Sequence, residues 1–414
     1  MTVSTDPRPH QSGPKTRIGR RELLTLISAI MALTAMAIDL MLPAFSDIRT
    51  AFDLGEGSNE TGRIVTYFFF GLAAGQLIYG PLADRFGRKP TLYLGISIYI
   101  AGAIGSAIAP SFEFLLASRV IWGVGAAGSR VVATAIIRDR FEGVAMAKAM
   151  SQIMAVFVLV PVAAPTLGAG IIAIFPWRSV FWFCVLFATL ITLWSLRLME
   201  TLDPANRREL RLSSTAAGYL EVARTPVTFG YTVASIFLQG VFTAYLASID
   251  LIISEIFDRE SQFPFIFGAV AVLFGVGALV NGRVVEQFGI DFVVRQAFSA
   301  VALLLTLFVA LTVLADGRPS FWLFMPITGL VLSSFMFLIP NLNSAAMEPV
   351  GHIAGSASAL TGAVRIAGGA LVGTVISSQV DDSLTPFVIG IALMCVCAGG
   401  TVGLVRRGVR FNRT

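Results

Sequence analysis

Twelve apolar stretches dominate the sequence and limit what it can fold into. They lie at about 22–44, 62–82, 91–109, 113–137, 149–173, 178–198, 227–250, 263–281, 293–315, 320–340, 353–378 and 385–405. Because a helix needs about 20 apolar residues to cross a bilayer, each stretch is a candidate transmembrane helix. Only 13% of the 414 residues are charged, whereas a soluble domain has about 25%. The sequence therefore predicts an all-α membrane protein with twelve transmembrane helices.

The basic residues between these stretches predict the orientation of the chain. If the N-terminus is cytoplasmic, the cytoplasmic segments hold 22 of the 30 Lys and Arg residues, the other side holds five, and three lie within stretches. This asymmetry follows the positive-inside rule, so we expect both termini in the cytoplasm. The bases are dispersed among loops and form no stripe, which argues against nucleic-acid binding.

The longest polar interruption separates the sixth and seventh stretches and predicts two halves of six helices each. The predicted parts are an N-terminal tail at 1–21, a first half at 22–198, a linker at 199–226, a second half at 227–405 and a C-terminal tail at 406–414.

A charged loop between the second and third stretches has a counterpart in the second half. The loop at 80–89 reads GPLADRFGRK, and 282–289 reads GRVVEQFG, with Glu286 at the position of Asp84. Such a repeat is expected when two six-helix halves are related by an axis along the membrane normal.

Several charges lie inside the stretches, where a charge at mid-bilayer costs about 2.5–3.5 kcal/mol. Asp39 lies near the outer end of the first stretch. Loss of hydration favours its neutral form, so Asp39 could bind and release a proton. A fixed ion pair with Arg119 of the fourth stretch is the alternative. Arg130 follows Arg119 by eleven residues, or about three turns, which places both arginines on one face.

Three further features stand inside or beside stretches. Arg365 lies near the middle of the eleventh stretch among glycines, and Asp250 ends the seventh stretch, where we expect it to face water. Pro161 and Pro165 lie four residues apart in the fifth stretch, and prolines bend a helix and free backbone carbonyls. A gating role and a static bend both remain open for this pair.

These motifs resemble the major facilitator superfamily and, within it, the Bcr/CflA-type drug:proton antiporters. The loop at 80–89 is similar to the superfamily's signature between helices 2 and 3. Asp-x-x-Leu-Pro at 39–43, the glycine-rich motif at 118–127, Pro-x-x-Ala-Pro-x-x-Gly at 161–168 and the opening of the eleventh stretch at 355–362 resemble the antiporter branch. The similarity extends from the first stretch to the twelfth.

The resemblance implies the major facilitator fold, a bacterial inner membrane location, and export of small amphiphilic compounds in exchange for protons by alternating access. It implies proton coupling through Asp39 with help from Arg119. It also implies a gating loop formed by Gly80, Asp84, Arg85, Gly87 and Arg88, together with Glu286 of the second half. The antiporter motif of the fifth stretch would be formed by Pro161, Pro165 and Gly168.

The sequence departs from that pattern at three positions. Trp122 stands where glutamine is usual, Arg130 where a small neutral residue is usual, and Arg365 where glutamine is common. We expect these three side chains and Asp39 to contact substrate. Because arginine suits a carboxylate or another anionic group, transport of a specific organic anion or metabolite is the alternative function.

Other classes of protein lack support. His10 and His352 lie outside the stretches and have no nucleophile or ligand cluster beside them, so an enzyme is not expected. No G-x-x-x-x-G-K-[ST] loop is present, so the energy should come from an ion gradient rather than ATP. Cys184, Cys395 and Cys397 lie in apolar stretches as packing residues, and we expect no metal or other cofactor. A bundle of this design can work as a monomer.

Overall fold

A computed structural model describes residues 18–55, 58–207, 212–380 and 383–411, and most of them are helical. Within these ranges the α-helices are α1 (Arg20–Asp39), α2 (Phe45–Ala51), α3 (Arg63–Phe86), α4 (Arg88–Ala107), α5 (Phe112–Arg140), α6 (Gly143–Ile172), α7 (Ser179–Ser195), α8 (Leu212–Arg224), α9 (Pro226–Leu251), α10 (Phe263–Phe288), α11 (Ile290–Leu314), α12 (Phe321–Met347), α13 (Ala354–Ser377) and α14 (Thr385–Phe411).

Twelve of these helices form the membrane bundle that the sequence predicted. In the described ranges, nine helical segments are long and apolar enough to cross a membrane, and one of them, Phe321–Ser377, contains both α12 and α13. Two shorter apolar helices, Leu159–Ile172 within α6 and Ser179–Ser195, complete the set. The prediction of an all-α fold of twelve membrane helices in two pseudo-symmetric halves is confirmed: α1 and α3 to α7 form the first half, and α9 to α14 the second.

The two halves share one turn that the sequence repeat encodes. Gly87 separates α3 from α4 with φ of 103°, and Gly289 separates α10 from α11 with φ of 77°. Each glycine N–H donates to the carbonyl four residues earlier, at 3.2 Å for Gly87 and 2.9 Å for Gly289. Glycine adopts this left-handed conformation without a steric penalty, so the repeat fixes the same tight reversal in both halves.

Close backbone contact holds the first half together. A Cβ atom added to Gly71 of α3 would overlap the Val120 carbonyl of α5, and one added to Gly123 of α5 would overlap the Phe68 carbonyl of α3. Small residues at a helix interface allow this approach in a bilayer, where lipid tails remove the hydrophobic drive for association. The α3–α5 contact is therefore a close-fitting seam.

The halves contact each other through α3 with α13 and through α6 with α10. We call the face where α1 begins and α14 ends the terminal face, and the other the opposite face. Near the opposite face, the Thr66 and Thr374 hydroxyls lie 2.8 Å apart. Asn59 donates to the Ser248 hydroxyl at 2.9 Å and to the Ser377 carbonyl at 2.8 Å. The halves are thus joined at the opposite face.

Near the terminal face, α8 bridges the halves from within the predicted linker. The Tyr219 hydroxyl donates to the Leu77 carbonyl of α3 at 3.1 Å. His352, beside the start of α13, lies 2.7 Å from the Glu221 carboxylate of α8. Residues 208–211 of the linker, 1–17 of the N-terminal tail with His10, and 412–414 of the C-terminal tail lie outside the described residues.

Candidate functional site

Asp39 is a buried carboxylate at the end of α1. The helix stops there because Pro43 has no N–H to donate to the Asp39 carbonyl four residues earlier, and the chain continues as a short 3-10 turn, Leu42–Ala44. Asp39 is 5% exposed, and within the described ranges it has no hydrogen-bond or ion-pair partner. Burying an unpaired carboxylate is unfavourable, so a proton or a cationic group would stabilise this site.

Tyr245 of α9 faces Asp39 from the second half. Tyr245 interacts electrostatically with Asp39, and its buried hydroxyl has no hydrogen-bond partner among the described residues. Its ring stacks on Phe267 of α10, with centroids 6.0 Å apart. Asp39 therefore lies where the two halves meet. Periodicity in the sequence does not identify Tyr245 as its neighbour.

Arg119 does not pair with Asp39, so the ion pair considered from the sequence is not formed. Arg119 is fully buried and donates to the Ala37 carbonyl at 3.0 Å and to the Ile64 carbonyl at 3.3 Å. Its guanidinium lies over the Phe68 and Trp122 rings, 4.5 and 4.7 Å from their centroids. Carbonyl oxygens and π-faces replace a carboxylate as its partners. Arg119 thus holds the α1 backbone two residues before Asp39.

Trp122 lies in the core of the first half in this conformation, and its contact with substrate stays a prediction. It is 1% exposed and meets Tyr99 and Phe181 edge-on, with centroids 5.4 and 5.8 Å apart. Gly102 of α4 makes room for its backbone. Periodicity in the sequence could not show that this side of α5 faces α4 and α7.

Arg130 of α5 and Arg365 of α13 lie at the interface between the halves. Both are partly buried, and they are close enough to repel each other electrostatically. Arg365 donates to the Gln239 side-chain oxygen at 2.6 Å. Within the described part of the chain, neither arginine has an ion-pair partner. A small cavity beside Arg365 has a mostly polar lining, formed with Thr232, Ser235, Asn343, Ala346 and Thr361.

The α6 motif lies against the end of α1. Pro161 and Pro165 stand inside α6, so two N–H donors are missing from this helix. Gly168 packs directly on the Leu40 carbonyl, one residue after Asp39. The motif therefore contacts the residue that follows Asp39, although more than 120 residues separate the motif from Asp39 in sequence.

The charged loop forms an ion cluster within the first half. Arg88, which is 4% exposed, donates to Asp84 at 2.6 Å and to Asp139 at 2.8 Å. The Glu200 carboxylate accepts the backbone N–H groups of Arg88 and Lys89 at 2.9 and 3.0 Å, which caps α4. Sequence reasoning missed Asp139, near the end of α5, and Glu200, in the loop after α7, because both are distant in sequence and no motif marks them.

Other predicted gating residues take no part in that cluster. Arg85 and Glu286 are exposed, and neither has an ion-pair partner in the ranges that the structure describes. Gly80 has open space around its α-carbon, while Gly87 provides the turn. The gating role that the resemblance implied for these residues stays a prediction.

An ion cluster at the opposite face was missed by sequence reasoning. Arg49 of α2 pairs with Asp250 at 3.4 Å and with Glu255, and it donates to the Ser58 carbonyl at 3.0 Å. Asp250 is 3% exposed, so the expectation that it faces water was wrong. Nothing in the sequence showed that Arg49 and Asp250 meet.

Two six-helix halves with ionisable residues buried where they meet define a secondary membrane transporter. Residues 24–373 match the family model described as Major Facilitator Superfamily. The chain belongs to this superfamily, and it is a transporter of small molecules rather than an enzyme. It is a multi-pass membrane protein.

Similar proteins agree with that assignment. The chain is 30% identical over 368 residues to the bicyclomycin resistance protein homolog of Haemophilus influenzae, covering 88% of this chain and 91% of that protein. It is 32% identical over 178 residues to the multidrug resistance protein MdtL of Escherichia coli, covering 42% of this chain and 46% of MdtL. Among solved structures, the D-xylose-proton symporter is similar in fold, with a TM-score of 0.73 at 14% identity, covering 91% of this chain and 97% of that one.

Proposed function

We propose that this transporter exports small amphiphilic molecules from the bacterial cytoplasm in exchange for protons. The observation that carries the proposal is Asp39, a buried acid without a pairing partner in the described ranges, located between the halves. The names of two relatives, a bicyclomycin resistance protein homolog and a multidrug resistance protein, support a drug-like substrate. The excess of bases in the terminal-face loops supports a cytoplasmic terminal face.

In this mechanism a proton and a substrate compete for the same region. Ionised Asp39 would favour a substrate with a hydrogen-bond donor or a positive charge, and a proton bound to Asp39 would weaken that contact. The transporter alternates between a conformation open at the terminal face and one open at the opposite face. Each ligand can shift this equilibrium only by the difference between its affinities for the two conformations. The halves at 22–198 and 227–405 would rock about the contact of α3 with α13, as a monomer in the lipid bilayer.

Everted membrane vesicles test this proposal. With an acidic lumen, addition of a substrate should dissipate the pH gradient, as a fluorescent pH probe reports. Asp39→Asn should abolish the dissipation because its side chain cannot exchange a proton. Asp47→Asn, which changes an exposed acid eight positions after Asp39, is the matched control and should behave like the wild type. Substrate transport that never draws on the gradient in either protein would contradict antiport.

A second candidate function is transport of a specific organic anion. Arg130 and Arg365 favour it, because two cations without ion-pair partners in the described ranges would be stabilised by an anionic group. The same vesicles should then respond to anionic compounds and not to cationic ones. Arg365→Gln should reduce that response more than Arg365→Lys, which keeps the charge. An unchanged response to anions in Arg130→Ala and Arg365→Gln would remove this candidate.

A further inference from the structure

The ion cluster at the opposite face has an unbalanced charge. Arg49 is the only cation that contacts Asp250 and Glu255 within the described residues. Its three nitrogens are all engaged, by these two carboxylates and the Ser58 carbonyl. One positive and two negative charges leave one negative charge in excess. Arg49 and Asp250 are 6% and 3% exposed, so water does little to compensate charge at this deeper end of the cluster, whereas the Glu255 side chain is 34% exposed.

Other charged groups near the cluster do not correct the excess. Glu260 of the following turn interacts electrostatically with Asp250 and adds negative charge. Arg259 instead contacts the Phe321 ring and the Gln262 side chain. Glu60 and Arg63 pair with each other at 3.2 Å on the exposed surface. At the end of α13, residues 381 and 382 lie outside the described residues.

The cluster connects the two halves, so it forms only when the opposite face is closed. Arg49 belongs to the first half, on α2, and Asp250 ends α9 of the second half. Asn59 makes a parallel connection to Ser248 and Ser377. Opening this face must separate Arg49 from both carboxylates and expose Arg49 and Asp250, the two buried groups, to water.

We propose that closure of the opposite face takes up a proton onto Asp250, which makes Asp250 a proton-binding site separate from Asp39. In the open state water solvates both carboxylates, and both are ionised. In the closed state one proton on the deeper acid balances the charge, and Arg49 stays paired with Glu255. Asp250 is the acceptor because it is the more buried carboxylate and the more loosely paired one, at 3.4 Å.

The sign of the pH effect follows from this balance. The closed state binds one proton more than the open state, so acid at the opposite face favours closure and alkali favours opening. This inference deepens the proposed proton-driven export and rests on it: on the proton-rich side, protons would close the empty transporter and return it to the opening on the terminal face.

Accessibility of a buried cysteine tests the inference without substrate or gradient. Ser248 is fully buried under the Asn59 contact, so Ser248→Cys should react with an impermeant maleimide only when the opposite face opens. The three native cysteines are replaced by alanine. Each rate is divided by that of Ser378→Cys, an exposed position on the same face, which removes the intrinsic pH dependence of the thiol. The protein is placed in vesicles with equal pH on both sides.

The normalised rate should rise with pH by up to about tenfold per pH unit, the slope for one linked proton. Asp250→Asn mimics the protonated acid and should label slowly at every pH. Glu255→Gln should also flatten the response, because Arg49 and Asp250 then balance each other. Glu60→Gln, which changes the exposed acid of the same face, should behave like the wild type.

Two results would overturn the inference: a wild-type rate that does not depend on pH, or faster labelling in Asp250→Asn than in the wild type. The second result would mean that the Asp250 charge is needed for closure. Because labelling requires no transport, a failure here leaves the antiport proposal intact. Conversely, a failure of antiport in the vesicle assay leaves the pH-dependent closure standing.

Discussion

The contact between α6 and the end of α1 can be tested with a single methyl group. Gly168 packs on the Leu40 carbonyl, and a Cβ atom there would also lie 3.5 Å from the Pro43 ring. Gly168→Ala should therefore push α6 away from the segment that presents Asp39. Gly170→Ala is the matched control, because a Cβ atom at Gly170 has nothing within 4 Å.

The magnitude follows from what the new methyl group would meet. It would overlap backbone atoms, which cannot rotate away as a side chain can. Forcing an extra methyl group into a packed interface costs about 1–3 kcal/mol. At Gly170 the methyl group meets no neighbour, and alanine is favoured over glycine inside a helix by about 1 kcal/mol. The two substitutions should therefore change stability in opposite directions.

Two measurements follow the effect. The thermal unfolding midpoint in detergent should fall for Gly168→Ala and stay equal or rise for Gly170→Ala. Gradient dissipation in vesicles should fall for Gly168→Ala alone, because the geometry at Asp39 is disturbed. If Gly168→Ala matches Gly170→Ala in both assays, α6 does not press on α1 and the reasoning is refuted.

Three other contacts give predictions of the same kind. Arg88→Ala leaves the carboxylates of Asp84 and Asp139 unpaired and should lower stability by about 2–3 kcal/mol, less than a fully buried pair because Asp84 is 39% exposed; thermal unfolding should show partial recovery in Arg88→Lys. Trp122→Ala should cost about 3–5 kcal/mol, and Trp122→Phe much less, if Trp122 is a core residue; normal stability in Trp122→Ala would contradict this. Tyr219→Phe should loosen α8, measured by hydrogen exchange. Burial raises the pKa of the Tyr219 hydroxyl, so its hydrogen bond to the Leu77 carbonyl should persist above the ordinary tyrosine pKa and be lost as pH rises further, when the hydroxyl loses its proton. Unchanged hydrogen-exchange protection of α8 in Tyr219→Phe would refute this prediction.

The fold could be predicted because a bilayer imposes simple rules. Apolar length identified the membrane helices. The distribution of bases predicts the orientation of the chain, which stays a prediction. The repeat at 80–89 and 282–289 identified the pseudo-symmetry, and the structure confirms it at Gly87 and Gly289, which make the same positive-φ turn.

The site was only partly predictable. A charge inside an apolar stretch is costly wherever it points, so Asp39, Arg130 and Arg365 could be singled out from sequence. Which groups meet depends on helix rotation and tilt, which periodicity does not give in helices that are apolar all round. For that reason the sequence suggested an ion pair of Arg119 with a carboxylate, whereas Arg119 donates to backbone carbonyls in the structure. The pairing of Arg49 with Asp250 was missed for the same reason.

The close-fitting seam of α3 and α5 has a mechanical consequence. Gly71 and Gly123 bring the two backbones into direct contact, so these helices cannot slide past each other without a clash. Arg119 of α5 is hydrogen-bonded to the α1 backbone, so a movement of α1 that displaces Arg119 also displaces α3. The contacts between α3 and α13 must then change as well. The first half therefore moves as a rigid body. A small displacement at the end of α1 is transmitted to the contacts at the opposite face, because these helices cannot shift relative to one another.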